Sequence, residues 1–254
     1  MPNSSSQQIE QPALLNELEF CLTEKHECGY LKDKEATTLF VNPAITLQQP
    51  HYSYLATKGF RRSGNHVYRP HCDSCNLCIP VRLNVDAFKA SKQQKRCWKK
   101  NTDISSFSHP AQYNEEHFQL YSRYLSSRHL GEGMDPGSKS SYMDIIKSQW
   151  SHTELLEFRR NQELVAVAVI DKLNDGLSAV YTFFEPELSK LSLGILCIQH
   201  EIELAKQRNL KWLYLGYWNP ESQKMSYKVR FQPLEYFVNN GWQNDAPNQE
   251  EFNL

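Results

Sequence analysis

The chain has 254 residues, of which 40% are hydrophobic and 22% charged, with a formal net charge of −1 and a mean hydropathy of −0.63. This length can bury a sizeable core in one large domain or two small ones, and the composition excludes a disordered or membrane-embedded chain. The longest apolar run, Leu164 to Ile170, is far below the roughly 20 residues that span a bilayer, and the polar residues 1–12 hold no signal-peptide core. We therefore expect a soluble cytoplasmic protein without a membrane partner.

The first part of the chain predicts a disordered lead at residues 1–12 and a domain over residues 13–105. Apolar positions near helical spacing predict a helix within residues 51–62, and the alternation from Val81 to Val85 predicts a strand. Ser91 is predicted to cap a helix whose cations recur every three or four residues and share one face. These cations are Lys92, Lys95, Arg96, Lys99 and Lys100.

Positive charge is concentrated around this helix. The segment from Lys58 to Lys100 holds 11 Lys or Arg and only two Asp, a net charge of +9, whereas the rest of the chain holds 17 basic and 27 acidic residues, a net charge of −10. This segregation predicts one positive surface that binds a polyanion, and the aromatic Trp98 beside the cations suits RNA. The alternative is that the cations form only a solvated helix face.

The second part predicts a domain over residues 106–240 and a flexible tail at 241–254. The predicted helices lie at about 113–128, 140–150 and 193–208, the last capped by Ser192, and the predicted strands at 154–160, 163–171, 177–184 and 210–217. Asn174-Asp175-Gly176 predicts a hairpin turn, and residues 131–137 predict a flexible loop.

This order, an antiparallel meander followed by a helix and a final strand, is similar to an N-acetyltransferase-like core. The predicted fold class is therefore α+β, with an antiparallel-rich mixed sheet and an N-terminal cysteine-containing domain. A coenzyme A enzyme of this kind needs a glycine-rich turn that holds pyrophosphate before the helix at 193–208, and only Gly194 is present at that point of the chain. The sequence therefore favours another acyl donor. It also has no Walker loop, no Gly-x-Gly-x-x-Gly and no Gly-x-Ser-x-Gly motif.

Three cysteines, Cys72, Cys75 and Cys78, have the spacing of thiolate ligands for zinc or an iron–sulfur cluster. The set lacks an evident fourth ligand, so that Cys28 or His71 has to complete it. The alternative is a packed loop of reduced thiols, and the odd total of seven cysteines argues against a secreted disulfide framework.

Two motifs near the end of the chain fit a binding site. Leu215-Gly216-Tyr217-Trp218 ends a predicted strand and can line a pocket for an aminoacyl group, or else form an aromatic edge of the core. Lys224 and Lys228 are four residues apart and can clamp a phosphate, or else face water.

These motifs occur together in one family. The chain resembles the aminoacyl-tRNA–protein transferases of the arginyltransferase family, and most closely their bacterial, leucine-transferring branch. The stretches that carry the resemblance are residues 28–31, 68–82, 88–96, 181–186, 192–194, 214–218 and 224–233. Eukaryotic relatives, which are the ones linked to an iron–sulfur cluster, carry a cysteine where this chain has Leu31.

The resemblance implies an enzyme that transfers leucine from Leu-tRNA to the N-terminal amine of proteins beginning with Asp or Glu, which marks them for N-end rule degradation. No cofactor is required, because an aminoacyl ester is already activated and positioning can supply most of the rate. The predicted site comprises Tyr181, Gly216, Tyr217 and Trp218 for catalytic positioning, Arg69, His71 and Arg82 for the acidic N-terminus, and Lys92, Lys95, Arg96, Lys99, Lys224 and Lys228 for tRNA.

Three alternatives stay open from the sequence. The donor can be Arg-tRNA rather than Leu-tRNA, since the pocket lining cannot be read from one chain. In other classes, the protein is a coenzyme A-dependent N-acyltransferase or a tRNA-binding module without catalysis.

Overall fold

A computed structural model describes residues 18–128 and 135–247. The strands in this part of the chain are β1 (Phe20–Leu22), β2 (His26–Glu27), β3 (Glu35–Ala36), β4 (Thr38–Val41), β5 (Arg61–Ser63), β6 (His66–Pro70), β7 (Ile79–Asn84), β8 (Ile104–Pro110), β9 (Thr153–Arg160), β10 (Glu163–Lys172), β11 (Gly176–Phe184), β12 (Trp212–Trp218), β13 (Leu234–Val238) and β14 (Gly241–Gln243). The α-helices are α1 (Gln49–Thr57), α2 (Lys92–Lys100), α3 (Glu115–Arg128), α4 (Lys139–Ile146) and α5 (Leu193–Gln207), and 3₁₀ helices lie at Pro186–Leu191 and Gln223–Arg230.

The centre of the fold is an eight-stranded sheet with the order β14-β13-β7-β12-β11-β10-β9-β8. Neighbouring strands are antiparallel except β11 and β12, which are parallel. The fold is therefore mixed α/β with a large, mostly antiparallel mixed sheet.

Helices cover both faces of this sheet, which explains the long apolar run in β10. Ala166, Ala168 and Ile170 pack in one buried cluster with α5, whereas Val167 and Val169 pack in a second cluster with α3 and α4. Because successive side chains of a strand point to opposite faces, a strand covered on both sides is apolar at every position.

A smaller antiparallel sheet, β1-β4-β6-β5, is joined to the large sheet by a buried ion pair. Arg62 Nε of β5 lies 2.5 Å from Asp171 Oδ2 of β10, and both side chains are fully buried. The Thr153 hydroxyl donates to Asp171 Oδ1, and Arg62 donates to the carbonyl oxygen of Ile145 at 3.2 Å. Buried charges persist only when they are paired and hydrogen-bonded, so this network fixes the position of β5 against β10.

Most predicted elements are confirmed. The alternating run from Val81 to Val85 lies in β7 up to Asn84, the meander is β9, β10 and β11, and two of the predicted helices are α3 and α5. Ser91 caps α2, where its hydroxyl accepts from the Gln94 N–H while the Gln94 side chain accepts from the Ser91 N–H. The helix predicted at 140–150 is shorter, because the backbone becomes extended at Lys147.

The predicted division of the chain at residue 105 stays a prediction. The large sheet takes β7 from the first segment and most of its other strands from the second, and residues 241–243 of the predicted tail form β14. The lead at 1–12 and residues 131–134 of the predicted loop lie outside the described residues. Within residues 18–128 and 135–247, none of the helices combines the length and the apolar character needed to cross a bilayer.

Glu201 on α5 predicts a pH-dependent loss of stability. Its side chain is fully buried, neither carboxyl oxygen has a hydrogen-bond partner among the described residues, and burial raises its pKa to about 8 from 4.5. The folded state therefore holds a proton that the unfolded state releases, so stability falls as pH rises from about 4.5 to 8, by up to about 1.4 kcal/mol per pH unit. We expect Glu201→Gln to raise the free energy of unfolding at pH 8 and to leave it nearly unchanged at pH 5.

Urea unfolding at pH 5, 6.5 and 8 measures this difference. Glu203→Gln is the matched control, because Glu203 is exposed on the same helix. If the free energy of unfolding changes with pH by the same amount in the wild type and in Glu201→Gln, Glu201 is not a buried, protonated carboxyl.

Candidate functional site

The parallel strands β11 and β12 are hydrogen-bonded over a short stretch only. Gly176–Ser178 pair with Trp212–Tyr214, and the pairing stops there. Between the residues that follow lies a cleft of about 620 Å³, which we call the strand cleft; it is lined by both strands, by α3, by the N-terminal turn of α5 and by the 3₁₀ helix Gln223–Arg230. Openings at the carboxyl ends of parallel strands are common ligand sites, because backbone groups and loops converge there.

Arg61 brings an unpaired positive charge into the strand cleft. Its Nη2 atom donates to the carbonyl oxygen of Val180 at 2.9 Å, and its guanidinium lies 5.7 Å from the centre of the Tyr217 ring. Within the described residues Arg61 forms no ion pair with a carboxylate. The guanidinium therefore keeps donors that can bind an anionic group of a substrate.

Gly216 allows Arg61 to occupy this position. Its φ of +75° lies in the left-handed region, and a Cβ atom added there would lie 2.6 Å from Arg61 Nη1. The pairing of β12 with β7 shifts register between Tyr214 and Gly216, at this same point. Glycine is required here for its conformation and for the close approach of the guanidinium.

Lys228 places an amine in the wall of the same cleft. Its side chain is 5% exposed, and its Nζ donates to the carbonyl oxygen of Tyr217. Burial, with the nearby charge of Arg61 as the next cause, lowers the pKa of Lys228 well below its usual value. The environment therefore favours the neutral amine, which has a lone pair that can accept a proton.

A second opening, the cysteine cleft of about 240 Å³, brings together two of the predicted acceptor-binding residues. Arg69 and His71 line it beside Cys75, Cys78 and Tyr217. Arg69 Nη1 donates to a backbone oxygen at 3.3 Å and forms no ion pair among the described residues. Tyr217 lines the cysteine cleft, and its carbonyl oxygen accepts a hydrogen bond from Lys228, which lines the strand cleft.

Arg82, the third predicted acceptor-binding residue, lies elsewhere. Its guanidinium is 2.7 Å from Glu235 Oε2 and stacks against the rings of Trp212 and Trp242, at 3.7 and 4.2 Å from their centres. It also donates to the Tyr214 hydroxyl. A guanidinium that already has a carboxylate and two aromatic neighbours holds β7 to β13 and is not part of the cysteine cleft.

The cysteines do not form a metal site in the described structure. Residues 18–128 and 135–247 contain no group of three or more His, Cys, Asp or Glu side chains arranged to hold an ion, and Cys28, Cys72, Cys75 and Cys78 are free thiols. The Cys78 sulfur accepts from Asn219 at 3.8 Å, and burial raises the pKa of Cys78 to about 12. Burial therefore favours the protonated form of the Cys78 thiol, and no chemical step below uses a metal ion or a cluster.

The residues predicted for catalytic positioning divide into two groups. Tyr181 lines the strand cleft, while Gly216 and Tyr217 surround Arg61. Trp218 packs edge-on against Tyr236, at 5.6 Å between ring centres, next to the buried core, and lines neither the strand cleft nor the cysteine cleft.

The residues predicted to bind tRNA also separate. Lys92, Lys95, Arg96 and Lys99 are exposed on α2, and Lys224 is exposed at the strand cleft. Lys228 lies inside that cleft rather than on the outer surface, because the protein covers its amine.

Arg61 is the site residue that sequence reasoning missed. Strand alternation places the adjacent Arg61 and Arg62 on opposite faces of β5, so that Arg62 forms the structural ion pair while Arg61 faces the strand cleft. A strand of three residues has no recognisable period, and the arginine pair therefore gave no signal that its two members have different roles.

Comparison with known proteins assigns this chain to a family. The family model "Arginine-tRNA-protein transferase, N terminus" matches residues 26–96, and the model "Arginine-tRNA-protein transferase, C terminus" matches residues 116–238. The chain is 48% identical to the aspartate/glutamate leucyltransferase of Teredinibacter turnerae over 91% of this chain and 95% of the relative. It is 44% identical to that of Saccharophagus degradans, over 90% and 97%, and 45% identical to that of Alcanivorax borkumensis, over 91% and 96%. The chain belongs to the aspartate/glutamate leucyltransferase family.

Among solved structures, the chain is similar to the C-terminal domain of a putative lysylphosphatidylglycerol synthetase from Agrobacterium fabrum. The TM-score is 0.45 and the identity 10%, over 66% of this chain and 51% of that one.

Proposed function

We propose that this protein transfers leucine from Leu-tRNA to the N-terminal amine of proteins that begin with Asp or Glu, and so marks them for N-end rule degradation in the cytoplasm. The relatives described above are named aspartate/glutamate leucyltransferases, which supports leucine as the transferred group and Asp or Glu as the acceptor. The single observation that carries the proposal for this chain is the strand cleft, in which the unpaired guanidinium of Arg61 lies beside the buried amine of Lys228.

The strand cleft also supports an N-acetyltransferase-like core. The meander β9-β10-β11, the helix α5 and the strand β12 follow one another in the order of such a core, and the parallel pair opens where its pairing stops. The start of α5, where a coenzyme A enzyme holds pyrophosphate, has one glycine, Gly194. This supports an aminoacyl ester as the donor.

The reaction converts an ester into an amide. The nitrogen of the acceptor amine attacks the leucyl carbonyl carbon, the new C–N bond forms, and the bond from that carbon to the ribose oxygen breaks. The nitrogen loses one proton and the ribose oxygen gains one. An N-terminal amine has a pKa of about 7.7 to 8.0, so a substantial fraction is neutral and reactive near pH 7.

Lys228 is suited to move that proton. Its N–H donates to the Tyr217 carbonyl oxygen, which fixes the nitrogen in the cleft wall and leaves its lone pair available. In our proposal the neutral amine takes the proton from the attacking nitrogen and returns it to the departing ribose oxygen, so that the enzyme ends in its starting state. Arg61 stabilises the negative charge that develops on the leucyl carbonyl oxygen, since its guanidinium has donors to spare.

Arg69 and His71 are proposed to read the acidic first residue of the acceptor. They line the cysteine cleft together, and Arg69 has no carboxylate partner among the described residues. A guanidinium can bind a carboxylate through two N–H donors, which selects Asp and Glu over neutral side chains. Tyr217, which lines this cleft and contacts Lys228 through its carbonyl oxygen, places the acceptor amine next to the leucyl ester.

The activity is tested by mixing the protein with tRNA that carries labelled leucine and with peptides that begin with Asp, Glu or Ala. We expect label on the Asp and Glu peptides only. Parallel reactions contain tRNA charged with labelled arginine, or labelled acetyl-CoA, as the donor. Transfer from either of these instead of Leu-tRNA overturns the proposed donor, and binding of charged tRNA without any transfer overturns the enzyme.

Lys228→Met tests the proton transfer. We expect kcat to fall by about 100-fold or more, the range that a positioned acid–base group supplies, while KM for Leu-tRNA changes little. In the wild type kcat rises with pH as the Lys228 amine loses its proton, whereas the variant keeps only the rise that comes from the acceptor amine. A pH profile of the same shape in both proteins, at equal melting temperature, contradicts the role.

Arg69→Gln and Arg82→Gln separate substrate binding from stability. We expect Arg69→Gln to raise KM for an Asp peptide about tenfold or more, because it removes a charged hydrogen-bond partner of the substrate carboxylate. Arg82→Gln leaves Glu235 unpaired, so it lowers the melting temperature and leaves that KM nearly unchanged. Steady-state kinetics and thermal melts of both variants check this pattern. If Arg82→Gln raises KM for the Asp peptide and Arg69→Gln does not, Arg82 is the residue that binds the acceptor.

A further inference from the structure

A third opening lies between α2 and the N-terminal turn of α5 and is surrounded by positive charge. This basic cleft has a volume of about 390 Å³. Four cations line it, and no Asp or Glu of the described residues does. The cations are Arg96, Lys100, Lys190 and Arg230.

Hydrogen bonds between its walls give the basic cleft a fixed shape. The buried Gln94 of α2 donates from Nε2 to the carbonyl oxygen of Arg230 at 3.0 Å. Lys100 Nζ donates to the carbonyl oxygen of Lys190 at 2.9 Å, and the buried Asn101 donates to that of Leu191 at 2.9 Å. These bonds tie α2 to both 3₁₀ helices, so that cations from three parts of the chain are held around one opening.

The basic cleft adjoins the strand cleft. Ser192, Ile195 and Arg230 line both. Ser192 and Ile195 belong to the beginning of α5, where the helix dipole adds positive potential to that of the side chains. A polyanion that binds beside α2 can therefore extend past Arg230 towards Arg61 and Lys228.

We propose that the basic cleft binds phosphate groups of the single-stranded 3′ end of the tRNA donor and leads that end into the strand cleft. This inference rests on the proposed function. A nucleotide strand fits better than an acidic peptide, because the reacting ester is attached to the last nucleotide and must reach the strand cleft from an adjoining phosphate site. Leu191 and Ile195 provide apolar surface for ribose and base, and the cations hold the backbone.

The experiment uses the double variant Arg96→Gln and Lys190→Gln in the full-length protein. Both side chains are exposed, and neither belongs to the catalytic site proposed above. Fluorescence anisotropy with labelled, uncharged tRNA measures the dissociation constant at several KCl concentrations. We expect binding to weaken about tenfold or more, and the slope of log K against log salt concentration to fall by about one to two, since each lost phosphate contact removes roughly one unit.

Lys32→Gln with Lys147→Gln is the matched control, because it removes the same charge from exposed lysines that line none of the three clefts. An unchanged dissociation constant and salt slope in the basic-cleft variant overturns the inference. So does an equal loss in the control, which would show a general effect of charge. The transfer assay on the wild type separates the two proposals. If leucine is transferred but the basic-cleft variant binds tRNA as tightly as the wild type, the proposed function is supported and the proposed tRNA site is wrong.

Discussion

The buried ion pair between Arg62 and Asp171 is the interaction on which the geometry of the site depends. It fixes the short strand β5 against β10 in the large sheet, and neither charge is tolerated in that position without the other. Because β5 is held in one orientation, the preceding residue, Arg61, faces the opposite way and reaches the strand cleft past Gly216. A structural salt bridge thus orients an unpaired guanidinium one residue away, although the two arginines never share a partner.

The proposed site has two approaches, and Tyr217 lines one of them and accepts a hydrogen bond from a residue of the other. On one side the cysteine cleft presents Arg69 and His71, and on the other the strand cleft presents Arg61 and Lys228. The Tyr217 hydroxyl lies 3.0 and 3.2 Å from the backbone oxygens of Tyr68 and Gly59, which holds the ring in place between them. In the proposed reaction, two large substrates enter from different directions, and only the amine and the ester have to meet. This arrangement suits an enzyme whose substrates are a protein and a nucleic acid.

Local patterns in the sequence predicted the secondary structure better than the site. The periodicities of β9, β10, α3 and α5 depend on neighbouring residues, so they could be read from one chain, as could the Ser91 cap. The position of β7 between β12 and β13 depends on pairing across more than 100 residues and has no local signal. The same holds for side-chain partners: nothing near Arg82 in the sequence indicates Glu235, and nothing near Lys228 indicates that the Tyr217 carbonyl oxygen covers its amine.

The basic cleft also has a consequence for turnover. In the proposed complex its cations contact phosphates, and a tRNA that has given up its leucine keeps all of its phosphates. Uncharged product tRNA therefore competes with charged tRNA for the same surface with nearly the same affinity. Only the contacts of the leucyl group in the strand cleft make the affinities differ. Discrimination in favour of the charged form is limited to what a single aliphatic side chain and its amine can contribute. Product departure, and not only chemistry, then sets how fast one molecule of the enzyme can modify successive proteins.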